Sequence, residues 1–313
     1  MQRSVVPAFA RREKIYVRET NGRFTAWRRA AILLTQFVYF GLPWASWNGR
    51  PVVWFDLPAQ RFHLFGQVFW PQDLVFLAGF LVLGACLVFF MSTLVGRAWC
   101  GFGCPHTVYS TIFHWIERRT EGGRSARMRL DREPMSLRKF SRKALKHAGW
   151  IAVALWTGLT LAGYFTPMPE LLREIGAFSL GPGQLSCIFL YGGLCYLNAG
   201  WMREQFCTFI CAWSRFQSVM QDADTLVVSY DRERGEPRGL RNRKCDLTQP
   251  VGDCVDCTIC VQVCPVGIDI RDGFQYQCID CCACIDACDA VMDKLGAPRG
   301  LIRHAGENAV QGR

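Results

Sequence analysis

The chain has 313 residues, enough for one or two domains, and half of them are hydrophobic. It carries a formal net charge of +10 and 17 cysteines, eight of which fall into two regular runs, so the cysteine count does not mark a secreted disulfide scaffold. No nucleic-acid-binding module accompanies the basic charge, so nucleic acid is not an expected partner.

Residues 1–29 are polar and basic, with eight Arg or Lys against two Glu. They contain no apolar core of a cleavable signal peptide, so the apolar segments that follow are expected to direct insertion themselves. Residues 30–47, A-A-I-L-L-T-Q-F-V-Y-F-G-L-P-W-A-S-W, read as a first apolar span closed by the interfacial aromatics Trp44 and Trp47. Residues 48–72 mix Trp54, Phe55, Phe62, Phe65 and Trp70 with Pro and polar groups, which predicts an interfacial loop.

Residues 74–96 run for 23 positions without a charge. At a rise of about 1.5 Å per residue this is roughly 35 Å, enough to cross the hydrocarbon core. A third span is predicted from about Ala148 to Phe165 and a fourth from about Pro182 to Trp201. Between the second and third, residues 97–147 hold twelve Arg or Lys against four acids. The segments 48–73 and 166–181 are nearly balanced, with two bases to two acids and one base to two acids. The positive-inside rule then puts the N-terminus, the central basic loop and everything after Trp201 in the cytoplasm. The basic run G-G-R-S-A-R-M-R-L-D-R-E is read as a topogenic, lipid-facing loop.

Residues 202–244 form a linker with a strand-like T-L-V-V-S-Y at 225–230, and residues 245–303 form a small domain ahead of a short tail, 304–313. Within that domain Cys254, Cys257, Cys260 and Cys264 follow C-x2-C-x2-C-x3-C, with Pro265 next. Cys278, Cys281, Cys284 and Cys288 repeat the spacing 24 residues later, with Asp289 where many ferredoxins have a second Pro. This is the spacing of a bacterial two-cluster ferredoxin, in which the fourth Cys of each run serves the other run's cluster. Cys254, Cys257, Cys260 and Cys288 are therefore assigned to one 4Fe-4S cluster, and Cys264, Cys278, Cys281 and Cys284 to the other. Cys282 is out of register and is read as a non-ligand. A zinc site would instead use two separated C-x2-C pairs. Residues 245–293 hold nine Asp and the single base Arg271, an acidic island that should lower the cluster potentials.

Two further pairs, Cys100/Cys104 in R-A-W-C-G-F-G-C-P and Cys207/Cys211 in R-E-Q-F-C-T-F-I-C-A, lie just past the second and fourth spans. With the spans before them they indicate an internal repeat of two-span units. On a helix, thiols at i and i+4 share a face. Two such faces meeting would offer four soft ligands, suited to Cu(I) or to an additional iron–sulfur centre. Cys86, Cys187 and Cys195 lie inside spans without a partner pattern, and His63, His106 and His114 are isolated, so that ordinary hydrogen bonding explains them as well as metal ligation would.

Several strings in the chain resemble the cytochrome c oxidase accessory protein family, variously called CcoG, FixG or Rdx. They are R-E-K-I-Y-V-R near the start, F-D-L-P-A-Q-R-F-H-L-F-G-Q-V-F-W-P-Q-D (55–73), G-R-A-W-C-G-F-G-C-P (96–105), W-I-E-R (115–118), M-R-E-Q-F-C (202–207), G-E-P-R-G (235–239), both cysteine runs and A-C-D-A-V-M-D-K-L-G-A-P-R-G-L-I-R (287–303). The resemblance implies a multi-pass protein of the bacterial inner membrane with a cytoplasmic two-cluster domain. It also implies a role in assembling a haem–copper oxidase, by reducing Cu(II) to Cu(I). The partners it implies are the lipid bilayer, oxidase-assembly components or a copper donor or acceptor, and an electron donor that the sequence does not name. Family members usually have Pro after the second C-x3-C, where this chain has Ala212, and they continue into a fifth span and a periplasmic domain beyond the extent of this chain.

The fold expected is thus an α-helical integral membrane protein of four transmembrane helices with a small α+β two-cluster ferredoxin domain. The competing functions are a quinol-oxidising electron-transfer subunit that feeds a periplasmic reductase and a non-redox copper carrier with structural clusters.

Overall fold

The computed structural model describes residues 14–47, 49–239 and 252–310. The expected basic segment before residue 14, the domain start at Cys245 and the end of the tail lie outside the described residues. Helix α1 (Arg23–Gly41) starts inside the basic stretch, seven residues ahead of the expected span, and stops at a 3-10 turn around Pro43. Its early start depends on a distant residue. Gly22 has no capping side chain, and the Asp286 carboxylate instead accepts from the Phe24 and Thr25 N–H groups at 3.2 and 2.7 Å.

The segment expected as a loop is mostly strand. β1 (Ser46–Trp47) pairs with β2 (Arg50–Pro51), and β3 (Val53–Asp56), β4 (Arg61–Leu64) and β5 (Gln67–Phe69) form an antiparallel meander. Trp54 stands opposite His63 and stacks on it at 4.9 Å. The meander is tied to the helices by the Phe55 N–H, which donates to the Tyr164 carbonyl at 2.8 Å. Gly66, at φ +84, supplies the tight β4–β5 turn.

α2 (Leu74–Val95), α3 (Ala98–Phe102), α4 (Pro105–Glu121), α5 (Arg124–Arg132) and α6 (Leu137–Gly163) follow. The N-cap of α6 is Ser136, whose Oγ accepts the Lys139 N–H at 3.2 Å, so this helix begins in the basic loop eleven residues before the expected third span. α7 (Met168–Gly176) and α8 (Pro182–Cys195) come next, and a π-helical turn, Tyr196–Met202, extends α8. α6 and α8 pack backbone to backbone at Gly158 and Gly192. A Cβ on Gly158 would lie 2.3 Å from the Ile188 carbonyl oxygen, and one on Gly192 would lie 2.9 Å from that of Ala154. Small residues at a close crossing are the usual device where lipid removes the hydrophobic drive between helices.

Among the described residues, two helical stretches are long and apolar enough to cross a membrane, Pro71–Val95 and Pro182–Met202. None of the most apolar part of the first is buried, and Val75, Phe76, Phe80 and Leu81 face outward. An apolar surface of that length needs lipid around it, and the protein is membrane-associated. α1 and α6 both carry several Arg or Lys in their N-terminal halves, so these two of the four expected spans fall outside the pair.

α9 (Ala212–Val219) leads to the small domain, built from β6 (Val227–Tyr230), α10 (Arg232–Gly235), α11 (Ile259–Val263), α12 (Ala283–Leu295) and β7 (Ile302–Ala305). β6 and β7 pair antiparallel with Tyr230 opposite Ile302, and Val228, Met292 and Leu301 fill the core beneath them.

Candidate metal centres

The two cysteine runs share a backbone plan. Asp256 and Asp280 adopt left-handed φ values of 49° and 48°, and Thr258 and Cys282 both sit at 57° as N-caps of α11 and α12. Cys282 is thus the counterpart of Thr258, a position whose side chain cannot be a thiolate in the first run. Its Sγ lies 3.4 Å from the Asp280 carbonyl oxygen.

Two small cavities lie within the domain. The first is lined by Cys254, Cys257, Cys260 and Cys288, and the second by Cys264, Cys278, Cys281 and Cys284, with Cys282 and Cys260 also on its wall. These are the two quartets expected from the spacing, each combining three thiols of one run with the fourth of the other. Cys260 borders both cavities, so the two spaces adjoin. The rest of each lining is mostly apolar, including Val291 and Met292 in the first and Val266 and Ile268 in the second. Among the described residues no three His, Cys, Asp or Glu side chains converge on a single-ion position. Thiols spread around a cavity suit a cubane, which takes one ligand at each of four corners.

Burial pushes the Cys260 and Cys264 thiols up to about 11 and the Cys288 thiol up to about 12, and it raises Cys278 and Cys284 well above the usual range. Without positive charge at their centre these thiols stay protonated, so filling the cavities releases protons. Arg271, the single base of residues 245–293, borders the first cavity and is held by Asp269, from Nη2 at 2.6 Å, and by Asp256. Part of the acidic island is therefore already paired.

The C-x3-C pairs depart from expectation in local geometry. Cys100 lies within α3, whereas Cys104 is the extended N-cap of α4, with φ −63° and ψ 126°. Cys207 lies in a π-helical turn, Phe206–Ile210, and Cys211 is the extended N-cap of α9, with φ −70° and ψ 101°. Neither pair shares one helical face, because the chain breaks helix at the second cysteine to start a new one. The repeat still holds, since both motifs make the same break. Pro105 and Ala212 occupy the same first helical position, where the N–H has no intrahelical partner, so losing the family's usual Pro leaves this turn intact.

Three hydrogen bonds join the two motif segments. Arg97 donates from Nη2 to the Ser214 carbonyl, Cys100 Sγ donates to Gln217 Oε1 at 3.1 Å, and His106 Nε2 donates to the Arg203 carbonyl at 2.8 Å. Cys100 and Cys207 each lie near enough to Cys104 and Cys211 to feel their charge, although among the described residues the four do not converge on a single-ion position. Burial, reinforced by the neighbouring cysteines and opposed by Arg97, pushes Cys100 and Cys207 up to about 12. Cys100 also packs against the buried cluster that holds Ile279 and Cys281, two residues of the second cavity's wall, so this end of the thiol set lies beside that cavity. Arg97, Asp280 and Gln217, which build that junction, were not apparent from the sequence. The only hint was the recurrence of Asp directly before a run cysteine, in V-D-C and I-D-C.

The histidines have structural partners. His63 stacks on Trp54, His106 stacks on Phe206 at 4.7 Å, and His114 Nδ1 donates to Glu117 Oε2 at 3.3 Å.

Comparison with known proteins agrees with this geometry. Residues 202–307 match the model of a 4Fe-4S dicluster domain, and residues 77–121 match that of a 4Fe-4S binding domain. The chain is 44% identical over 305 residues to the nitrogen fixation protein FixG of Rhizobium meliloti, covering 96% of this chain and 58% of FixG. It is 39% and 38% identical to the proteins RdxA and RdxB of Cereibacter sphaeroides, covering 95% and 94% of this chain and 63% of each relative. The chain belongs to the FixG and Rdx family. It spans about three-fifths of the length of these relatives. No solved structure matches it. Both matched regions are iron–sulfur domains, and each C-x3-C pair falls inside one of them.

Proposed function

We propose that this FixG/Rdx homologue reduces Cu(II) to Cu(I) during assembly of a haem–copper cytochrome oxidase. In this reading Cys254, Cys257, Cys260 and Cys288 hold one 4Fe-4S cluster, and Cys264, Cys278, Cys281 and Cys284 hold the other. The observation that carries the proposal is the packing of Cys100 against the wall of the second cavity. It aligns first cavity, second cavity and thiol set in one series. The bound clusters would supply one-electron carriers. Copper is the substrate: each Cu(II) gains one electron, and the soft thiolates of Cys100, Cys104, Cys207 and Cys211 stabilise the Cu(I) product. α1 and α6 join the two apolar helices to make four spans in a bacterial inner membrane, with the small domain in the cytoplasm. The oxidase-assembly components would take up the Cu(I).

A second reading of the same thiol set, an additional iron–sulfur centre, is favoured by the match of residues 77–121 to a 4Fe-4S binding domain.

The test is anaerobic. Purified, cluster-loaded protein is reduced once, freed of reductant and mixed with Cu(II), beside a Cys100/Cys104/Cys207/Cys211→Ser variant. Copper-dependent reoxidation of the clusters with formation of Cu(I), lost in the variant, is expected. Reduced clusters left untouched by copper sink the proposal. An iron content that falls by about a third in the variant marks the second reading instead.

A further inference from the structure

A cavity of about 330 Å³ lies away from the thiols, where α6 and the π-helical end of α8 meet the basic loop. That volume is at the small end of the range for small-molecule sites, about 300–1,000 Å³. One wall is aromatic, formed by His147, Trp150 and Trp201. The His147 and Trp201 rings lie 22° from parallel, while Trp150 stands edge-on to His147 at 5.1 Å. His147 is fixed by a 2.9 Å hydrogen bond between Nδ1 and the Tyr196 hydroxyl, which leaves its other ring nitrogen to meet a ligand oxygen. Gly200 lets the backbone pack close on this wall, since a Cβ there would come within 3.1 Å of the Trp150 ring.

The rest of the lining is mostly charged, and two of its bases lie against the aromatic wall, with Lys146 and Arg203 over the Trp150 ring at 4.8 and 5.4 Å. Each base has a carboxylate partner, Arg203 with Glu117 at 2.5 Å, Lys146 with Glu121 at 3.2 Å and Lys14 with Asp131 at 2.7 Å, and these three acids also serve Arg127 and Lys143. Glu204 adds a further carboxylate to the lining. The aromatic side of the cavity favours a flat ring, and the bases beside it can donate to oxygens on the rim of such a ring, delivered from lipid past the half-exposed Trp201.

We propose that this cavity binds the head ring of a membrane quinone. Its position connects it to the redox centres, because Arg203 and Glu204 lie four and three residues before Cys207 and the Arg203 carbonyl is held by His106, two residues past Cys104. The π-helical turn that places Trp201 and Gly200 is a backbone irregularity of the kind frequent at functional sites. The proposal concerns the electron partner on the membrane side and stands whether or not copper is the acceptor.

The experiment uses the full, cluster-loaded chain in lipid nanodiscs without copper, photolabelled with an azido-ubiquinone analogue and mapped by peptide mass spectrometry. Label is expected on residues 146–150 and 200–204, displaced by unlabelled analogue. In His147→Leu and Trp201→Leu it should fall about tenfold, with iron content unchanged as the check on folding. Gly200→Val, which presses on the Trp150 ring and displaces that wall, should lose it too. Label confined to the lipid-facing side of α2, label indifferent to these variants, or displacement by inorganic phosphate or phosphatidylglycerol would overturn the proposal. Because copper is absent, failure here leaves the copper reading standing.

Discussion

The main-chain N–H of Arg97 donates to Oδ2 of Asp280 at 2.8 Å, and both residues are almost completely buried. The other oxygen of the same carboxylate accepts the Val228 N–H at 3.2 Å, and the Arg97 guanidinium reaches the Cys278 carbonyl at 3.3 Å. One aspartate in the second cysteine run thus joins the C-terminal end of α2, the first strand of the small domain and the wall of the second cavity. Gly101 completes the contact, since a Cβ there would lie 2.8 Å from the Ile279 carbonyl oxygen.

Asp280→Ala should loosen this junction. Two buried N–H groups lose their acceptor, at about 1–3 kcal/mol each. The apparent Tm of the detergent-solubilised protein should fall by several degrees, and protease should cut more readily between Gly96 and Val227. Asp280→Asn keeps one accepting oxygen and should fall between the variant and the native protein. An unchanged Tm for Asp280→Ala would show that the docking does not depend on this carboxylate.

Glu117 is 1% exposed and accepts from Arg203 at 2.5 Å, Arg127 at 3.1 Å and His114 at 3.3 Å. Burial alone would raise its pKa, but the His114 hydrogen bond and the Arg203 charge outweigh it and hold the carboxyl well below its usual range. A depressed folded-state pKa contributes stability that is present above the unfolded value of about 4.3 and is lost as pH falls below it. Thermal stability should therefore decline on acidification below about pH 4.3, and Glu117→Gln should flatten that decline. At neutral pH Glu117→Gln should cost about 3–5 kcal/mol, because it strands two buried guanidinium groups. Parallel pH–Tm curves for the two proteins would refute this role.

Gly158→Leu should separate α6 from α8, as no side chain fits between Gly158 and the Ile188 backbone. The expected readout is loss of folded protein from detergent extracts, seen as aggregation in size-exclusion chromatography. Gly193→Leu, on the same helix as Gly192 but with nothing within 4 Å of its Cβ position, should elute as the native protein does.

Cys281→Ser and Cys282→Ser separate a ligand from its neighbour. The first should remove about half of the iron and the second almost none, measured by iron analysis and the visible absorption of the reconstituted protein. Equal losses would overturn the assignment of Cys282 as the counterpart of Thr258.

The cysteine quartets were legible in the sequence because the x2 spacing within each run is a local property of one short loop. The longest apolar segment was legible for the same reason: the length and composition of Leu74–Val95 suffice whatever surrounds it. The strand at Val227–Tyr230 also announced itself locally, through its β-branched run. Other features needed the tertiary structure. α1 begins where it does because Asp286, over 260 residues away in the chain, caps it. The meander of β3 to β5 was hidden because its aromatics carry no clean alternation, and it is held by Tyr164 on another element. The C-x3-C pairs were misplaced on single helices because spacing alone cannot show that Cys104 and Cys211 start new ones. The junction of Cys100 with the second cavity depends on Arg97 meeting Asp280, a contact between segments 183 residues apart. Residue types and local spacing therefore determined which thiols group together. The mutual placement of those groups followed from burying polar atoms that only distant partners could satisfy.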